Sequence, residues 1–144
     1  MLVQRILDHK DGSGIIDTSP EASVGDAAEV LAKRRIGAII VRDNDENLAG
    51  ILSERDIVRG LAAHGPGVLE MRVGELMTRE VVTCTPESTV EAVMVQMTEG
   101  RFRHLPVAGD DGLVGMISIG DVVNSRLIEL QEETSQLRAF IAGG

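Results

Sequence analysis

One seven-residue pattern occurs twice in the chain. Gly50-Ile51-Leu52-Ser53-Glu54-Arg55-Asp56 and Gly115-Met116-Ile117-Ser118-Ile119-Gly120-Asp121 share a Gly, two apolar residues, a Ser and, three residues after it, an Asp. Upstream, Thr18-Ser19-Pro20-Glu21 matches Cys84-Thr85-Pro86-Glu87, and the two prolines lie 66 residues apart against 65 for the two glycines. One deleted loop residue reconciles the two spacings. A repeat of this length fixes the architecture before any local reading, because each copy must fold the same way and bury its apolar face against the other. The chain divides at His64-Gly65-Pro66-Gly67, giving repeat one as residues 1–67 and repeat two as residues 68–144.

Within each repeat the apolar spacing reads β-α-β-β-α. Val3, Ile6 and Leu7 suggest a short helix leading into repeat one, and Val73 to Met77 is its counterpart. Ile15-Ile16 and Val81-Val82 are β-branched runs expected to form strands that stop at Pro20 and Pro86. A long helix is expected from Ser23, with Asp26 at capping-box spacing and Val24, Ala27, Ala28 and Leu31 on one face. Its copy uses Val90, Val93, Met94 and Met97. Strands at Ala38–Val41 and Leu105–Val107 follow, the second made an edge or irregular strand by Pro106. Asp43 to Asn47 and Gly109 to Gly112 read as hairpin turns, and the acidic one lacks the twelve-residue loop of a calcium site. The last helix runs to about Phe140. In it Val123, Leu127, Leu130, Thr134, Leu137 and Ile141 are spaced 4, 3, 4, 3, 4, a coiled-coil-like seam too short to stand alone. It is expected to pack on its own domain or on a second subunit.

Ser53 and Ser118 each fall where a strand gives way to a helix. Free backbone N–H groups and the positive end of the helix dipole meet there, which suits an anionic or polar ligand. The competing reading is a capping box, with Ser bonding the third amide and Asp reaching back.

Composition removes several functions. A net charge of −9, two Phe and no Trp or Tyr argue against nucleic acid and anionic membranes, which need a cationic footprint and, for single strands, stacking platforms. Cys84 is the one cysteine, so no intrachain disulfide forms, and it reads as a small half-buried residue. No apolar run has the length of a membrane span and the N-terminus lacks a signal-peptide pattern, so a soluble cytoplasmic protein is expected. There is no Cys/His pair, metal-ligand spacing, glycine-rich phosphate loop or nucleophile elbow, and His9, His64 and His104 are far apart in sequence. An enzyme is not expected.

Two β-α-β-β-α units, each closing on Gly-apolar-apolar-Ser-x-x-Asp, resemble a tandem pair of CBS (cystathionine-β-synthase) domains, a Bateman module. Val73 to Met77 and Arg103-His104-Leu105-Pro106-Val107 add to the likeness, which covers nearly the whole chain with no catalytic domain attached. The resemblance implies an α/β fold in which two repeats pack sheet to sheet about a pseudo-twofold axis. Two clefts then bind adenine-containing ligands: AMP, ADP, ATP, S-adenosylmethionine or NAD(H), none of them a required cofactor. It further implies that Asp121 and Asp56 accept from the ribose hydroxyls and that Ser118 and Ser53, with the helix-start amides, face phosphate. A carboxylate does offer two acceptors to a vicinal diol. Arg103 and His104 precede Ser118 and are expected beside it as phosphate donors, whereas the aligned Gly37 and Ala38 leave the Asp56 site weak or empty. A surface salt bridge is the other reading of Arg103 and His104. Thr83 is a secondary candidate for the adenine and phosphate edges. The resemblance makes a homodimer and an unidentified regulated partner expected. The function read from it is a regulatory nucleotide-binding module; the alternative is an interaction or dimerisation module that binds no ligand.

Overall fold

The computed structural model of the chain describes residues 1–10 and 14–143. The elements in order are α1 (Val3–His9), β1 (Asp17–Thr18), α2 (Val24–Arg34), β2 (Ala38–Arg42), β3 (Leu48–Ser53), α3 (Glu54–His64), a 3₁₀ turn (Gly65–Glu70), α4 (Val73–Leu76), α5 (Val90–Gly100), β4 (His104–Gly109), β5 (Gly112–Ser118) and α6 (Ile119–Gly143). β1 runs parallel to β2, which pairs antiparallel with β3, while β4 and β5 form a separate antiparallel pair. The two repeats thus build one α/β molecule around a pseudo-twofold axis, with α6 extending past repeat two.

Local chemistry sets the helix starts. The Ser23 hydroxyl accepts from the Asp26 amide, and Thr89 does the same for Ala92, so α2 and α5 begin at equivalent positions. Their buried stripes are Val24, Ala27, Leu31 and Val90, Val93, Met97. Both helices end on an Arg in the left-handed region, Arg35 at φ 55° and Arg101 at φ 56°. The acidic turn is local as well: Asp43 accepts from the amides of Asp45 and Asn47.

The opening strands depart from expectation. In repeat one the pairing residues are Asp17 and Thr18, after Ile15-Ile16 rather than at them. In repeat two Val81-Val82 forms no strand, and only Cys84 bridges to Val107. Pro106 supplies the reason. Cys84 donates to the Pro106 carbonyl and Ala108 donates to the Cys84 carbonyl, so the next ladder bond toward Val82 would need an N–H on residue 106. The aligned Ile40 has that N–H, and there the strand forms. The expected linker at residues 64–67 opens the 3₁₀ turn, which anchors itself by burying Val68.

The short leading helices cross over. Val3 and Ile6 of α1 are buried with Val90, Val93, Leu105, Ile117 and Val122, the core of repeat two. Val73 and Met77 are buried with Ala27, Leu31, Ile39, Val41 and Leu52, the core of repeat one. Backbone bonds hold both exchanges: Val3 donates to the Ser88 carbonyl and Val90 to Met1, while Val73 donates to Ala22 and Val24 to Met71. The motif glycines make room for the crossing chain. A Cβ on Gly50 would lie 2.5 Å from the Thr78 carbonyl oxygen and one on Gly115 would lie 3.2 Å from Leu7.

Candidate functional site

Ser53 and Ser118 both begin helices with reciprocal caps. The Ser53 hydroxyl accepts from the Asp56 amide at 3.2 Å, and Asp56 Oδ2 accepts from the Ser53 amide at 3.0 Å. The Asp121 amide donates to Ser118 Oγ at 3.1 Å and the Ser118 amide to Asp121 Oδ2 at 2.9 Å. The capping-box reading therefore holds at both positions. It fixes each carboxylate at the mouth of a cleft, beside the first amides of its helix.

Two clefts lie between the repeats. One, of about 630 Å³, brings Ser53 and Asp56 of repeat one together with Arg101, Phe102, Arg103 and His104 of repeat two, and with Thr78, Val81 and Val82 of the connecting segment. Arg55, Arg59, Glu54 and Glu80 also border it. Thr78 donates its hydroxyl to the Asp56 carboxylate at 3.3 Å. The other, of about 690 Å³, holds Asp121 among Leu7, Ile15, Ile16, Ile36, Met116 and the cations Lys10 and Arg34. Each cleft thus takes its motif from one repeat and the opposing strand entrance from the other.

This exchange redirects two candidates. Arg103 and His104 border the cleft of Asp56, not that of Asp121, although His104 is paired with Ser118 in the strand ladder. The strand entrances of the two repeats meet at the axis: a Cβ on Gly37 would lie 3.0 Å from His104 Cε1. The His104 ring therefore occupies space that the missing Gly37 side chain leaves open. Gly37 itself lines the Asp56 cleft together with Arg103 and His104, and Ala38 is fully buried and among the residues of neither cleft. Thr83 is exposed and is among the residues of neither cleft. Sequence reasoning missed Thr78, Arg101 and Lys10. The first two had signals, since Thr78 directly follows the leading segment 73–77 and Arg101 aligns with Arg35 just before the strand. Lys10 had none.

The electrostatics of the clefts differ. Burial holds the His104 imidazolium below its ordinary range, and the charges of Glu54 and Asp121 only partly oppose this. At Asp121, burial pushes the carboxyl up, but the hydrogen bond from Lys10, the Ser118 amide and the Lys10 charge together bring it below the usual carboxylate value. Lys10 Nζ donates to Asp121 Oδ2 and to the Met116 carbonyl, both at 2.8 Å. The Asp121 carboxylate of the second cleft is thus already engaged by a cation of the same chain. Burial pushes the Cys84 thiol up to about 11, in keeping with a packing role. Among the described residues no three His, Cys, Asp or Glu side chains group to hold a metal ion, and no helix is long and apolar enough to cross a membrane.

Comparison with known proteins follows the same lines. CBS domain-containing protein CBSX3, mitochondrial, of Arabidopsis thaliana is 41% identical over 138 residues, which are 93% of this chain and 66% of that protein. The chain therefore spans just under two thirds of that relative. The crystal structure of a CBS-domain containing protein from Agrobacterium tumefaciens aligns with a TM-score of 0.82 at 43% identity, covering 87% of this chain and 92% of that one. The CBS domain pair of protein MJ0100, solved in complex with 5′-methylthioadenosine and S-adenosyl-L-methionine, aligns with a TM-score of 0.76 at 29% identity, over 91% of this chain and 98% of that one. The CBS domain family matches twice, at residues 15–63 and 73–127, one match for each repeat. With both repeats matched, the chain belongs to the CBS-domain family as a tandem pair.

Proposed function

We propose that the chain is a regulatory module that binds an adenine nucleotide, and that its principal site is the Asp56 cleft. The observation that carries this reading is the convergence of Arg101, Arg103 and His104 from repeat two on the Ser53–Asp56 helix start of repeat one. Asp56 supplies acceptor oxygens for a ribose diol. The amides at the start of α3 and the guanidinium groups supply donors and charge for phosphate, Arg by its planar fork. Ile51, Val81, Val82 and Phe102 supply apolar wall for a base. Adenosine-containing ligands in the MJ0100 pair support the ligand class. The reading reverses the expectation that Asp121 holds the phosphate and Asp56 is weak. A ligand bridging the two repeats shifts their relative geometry, and a partner protein reads that change; the size of the response is bounded by the ligand's differential affinity for the two states.

The test is calorimetric titration of AMP, ATP, NADH and S-adenosylmethionine into the wild type and into Asp56→Ala and Asp121→Ala. Asp56→Ala is expected to lose binding and Asp121→Ala to keep it. Because Asp56→Ala also removes a helix cap worth about 1 kcal/mol, its melting temperature is measured alongside. Arg103→Ala is expected to weaken AMP about tenfold while leaving adenosine unchanged, the loss of a charged hydrogen bond to phosphate. Binding that survives Asp56→Ala and disappears in Asp121→Ala would reverse the assignment. No binding of any of the four would leave the interaction-module reading.

A further inference from the structure

Two exposed features lie outside the core packing. The seam of α6 is bare, with Leu137 60% and Ile141 69% exposed, so this face does not pack on its own domain. Nothing among the described residues covers it. The second feature is charged, and its surroundings say what it would hold. Four arginines border the Asp56 cleft: Arg55 and Arg59 from α3, and Arg101 and Arg103 from the segment before β4. Four cations gathered at one cleft run against the chain's net charge of −9. None of the four is in an ion pair among the described residues, although Glu54 and Glu80 border the same cleft. Elsewhere Arg5, Lys10, Arg42 and Arg126 are each paired with a carboxylate. Asp56 does not answer the arginines either, since it accepts from the Ser53 amide and the Thr78 hydroxyl. Guanidinium groups around one space repel one another until an anion lies between them. The second cleft has no such set: it is bordered by Lys10, held by Asp121, and Arg34.

The placement of the four orders the anion. Arg55 is the second residue of α3, and Arg59 follows four residues later, on the same face of the helix and about 6 Å further along its axis. Arg101 and Arg103 come from the opposite wall. A single phosphate at the start of α3 is answered by Arg101 and Arg103 and leaves Arg59, a full turn further on, without an anion. A phosphate chain running on along α3 brings negative charge to Arg55 and Arg59 as well. Ligands with less negative charge fit the set worse. AMP ends at the first phosphate, and S-adenosylmethionine would bring a sulfonium cation among four arginines. We propose, resting on the reading of the Asp56 cleft as the nucleotide site, that this cleft selects its nucleotide by the length of the phosphate chain. Arg55 and Arg59 read the phosphates beyond the first, and the ligand is a nucleoside triphosphate in preference to a monophosphate or a sulfonium adenosine.

Calorimetric titration of AMP, ADP, ATP and inorganic tripolyphosphate into the full chain, without divalent cations, tests this. Each added phosphoryl group is expected to tighten binding about fivefold, the effect of a charge-assisted hydrogen bond discounted for solvent exposure. ATP then binds roughly 25-fold more tightly than AMP, with ADP between them. Arg55→Ala/Arg59→Ala is expected to bring ATP to the affinity of AMP and to leave AMP unchanged. Both positions are exposed and alanine is a good helix former, so the melting temperature of the double variant is expected to stay that of the wild type. Tripolyphosphate, which carries the chain without a ribose for Asp56, is expected to bind at least about tenfold more weakly than ATP. AMP binding as tightly as ATP, or a double variant that weakens both by the same factor, would overturn selection by chain length and leave the Asp56 site standing. Tripolyphosphate binding as tightly as ATP would overturn the nucleotide as the ligand. If none of the three nucleotides binds, the reading of the cleft falls and this proposal falls with it.

Discussion

At the scale of single residues, the two clefts differ through one histidine and one lysine. His104 is kept neutral by burial, so its folded-state pKa lies below its ordinary 6.5. The unfolded chain then takes up this proton first as pH falls. The associated stability is complete above pH 6.5 and declines below it. A phosphate placed beside the ring reverses the balance, because a neighbouring anion favours the imidazolium. Nucleotide binding is therefore expected to take up a proton and to tighten as pH falls from about 7.5 to about 6. Titrations in two buffers of different ionisation enthalpy measure that proton, and His104→Gln is expected to remove it. If wild-type and His104→Gln proton uptake were equal, the ring would not face the phosphate. At Asp121 the folded-state pKa is lowered, so its contribution is complete above the ordinary 3.8 and is lost as pH falls below it. Lys10 is 41% exposed, so the ion pair is worth only about 0.5 kcal/mol. Lys10→Met is expected to cost about that in chemical denaturation. It is also expected to free the Asp121 carboxylate, so that a weak second binding event joins the titration.

At the scale of elements, what was legible in the sequence was what the chain decides within a few residues. Ser23, Ser53 and Ser118 cap helices through bonds to the residue three ahead, and such bonds leave a mark in spacing. The repeat gave the strand order in the same way. Pro106 signalled an irregular strand, but its consequence fell one strand away, on Val81-Val82, because the missing donor belongs to the neighbour's ladder. The partners of Arg103, His104, α1 and α4 left no local mark. Alignment by the 66-residue offset pairs equivalent positions, whereas the pseudo-twofold axis brings each one against the other repeat. The exchanged helices give a direct test. Ile6→Ala, in α1, is expected to cost about 2 kcal/mol or more and to lower hydrogen-exchange protection in β4 and β5 of repeat two. Met77→Ala, after α4, is expected to do the same for β2 and β3 of repeat one. Loss of protection in the repeat that each helix precedes would contradict the crossed packing.

At the scale of the whole molecule, the exchange makes the boundary between residues 67 and 68 a division of sequence rather than of core. A fragment of residues 1–67 lacks Val68, Val73 and Met77 and exposes the apolar face of α1. A fragment of residues 68–144 lacks Val3 and Ile6, which fill its core, and exposes α4. Each half is small enough to be marginal even with a complete core. The intact chain is therefore expected to unfold in one transition, with calorimetric and van't Hoff enthalpies equal. The separate fragments are expected to show dispersed methyl resonances only when mixed in equal amounts, as α1 of one and α4 of the other find their cores. A cooperative melt of either fragment alone would show that its repeat folds without the exchange. The same coupling would carry the effect of a ligand in one cleft to the entire module. On the proposed reading, a nucleotide at Asp56 would bond both halves of a single cooperative unit, and at a hundred times its dissociation constant it would stabilise the whole by about 2.7 kcal/mol. That increment is expected to raise the one melting transition and not to split it. Two transitions with only one of them moved by nucleotide would mean that the repeats respond separately, leaving no shared geometry for a partner to read.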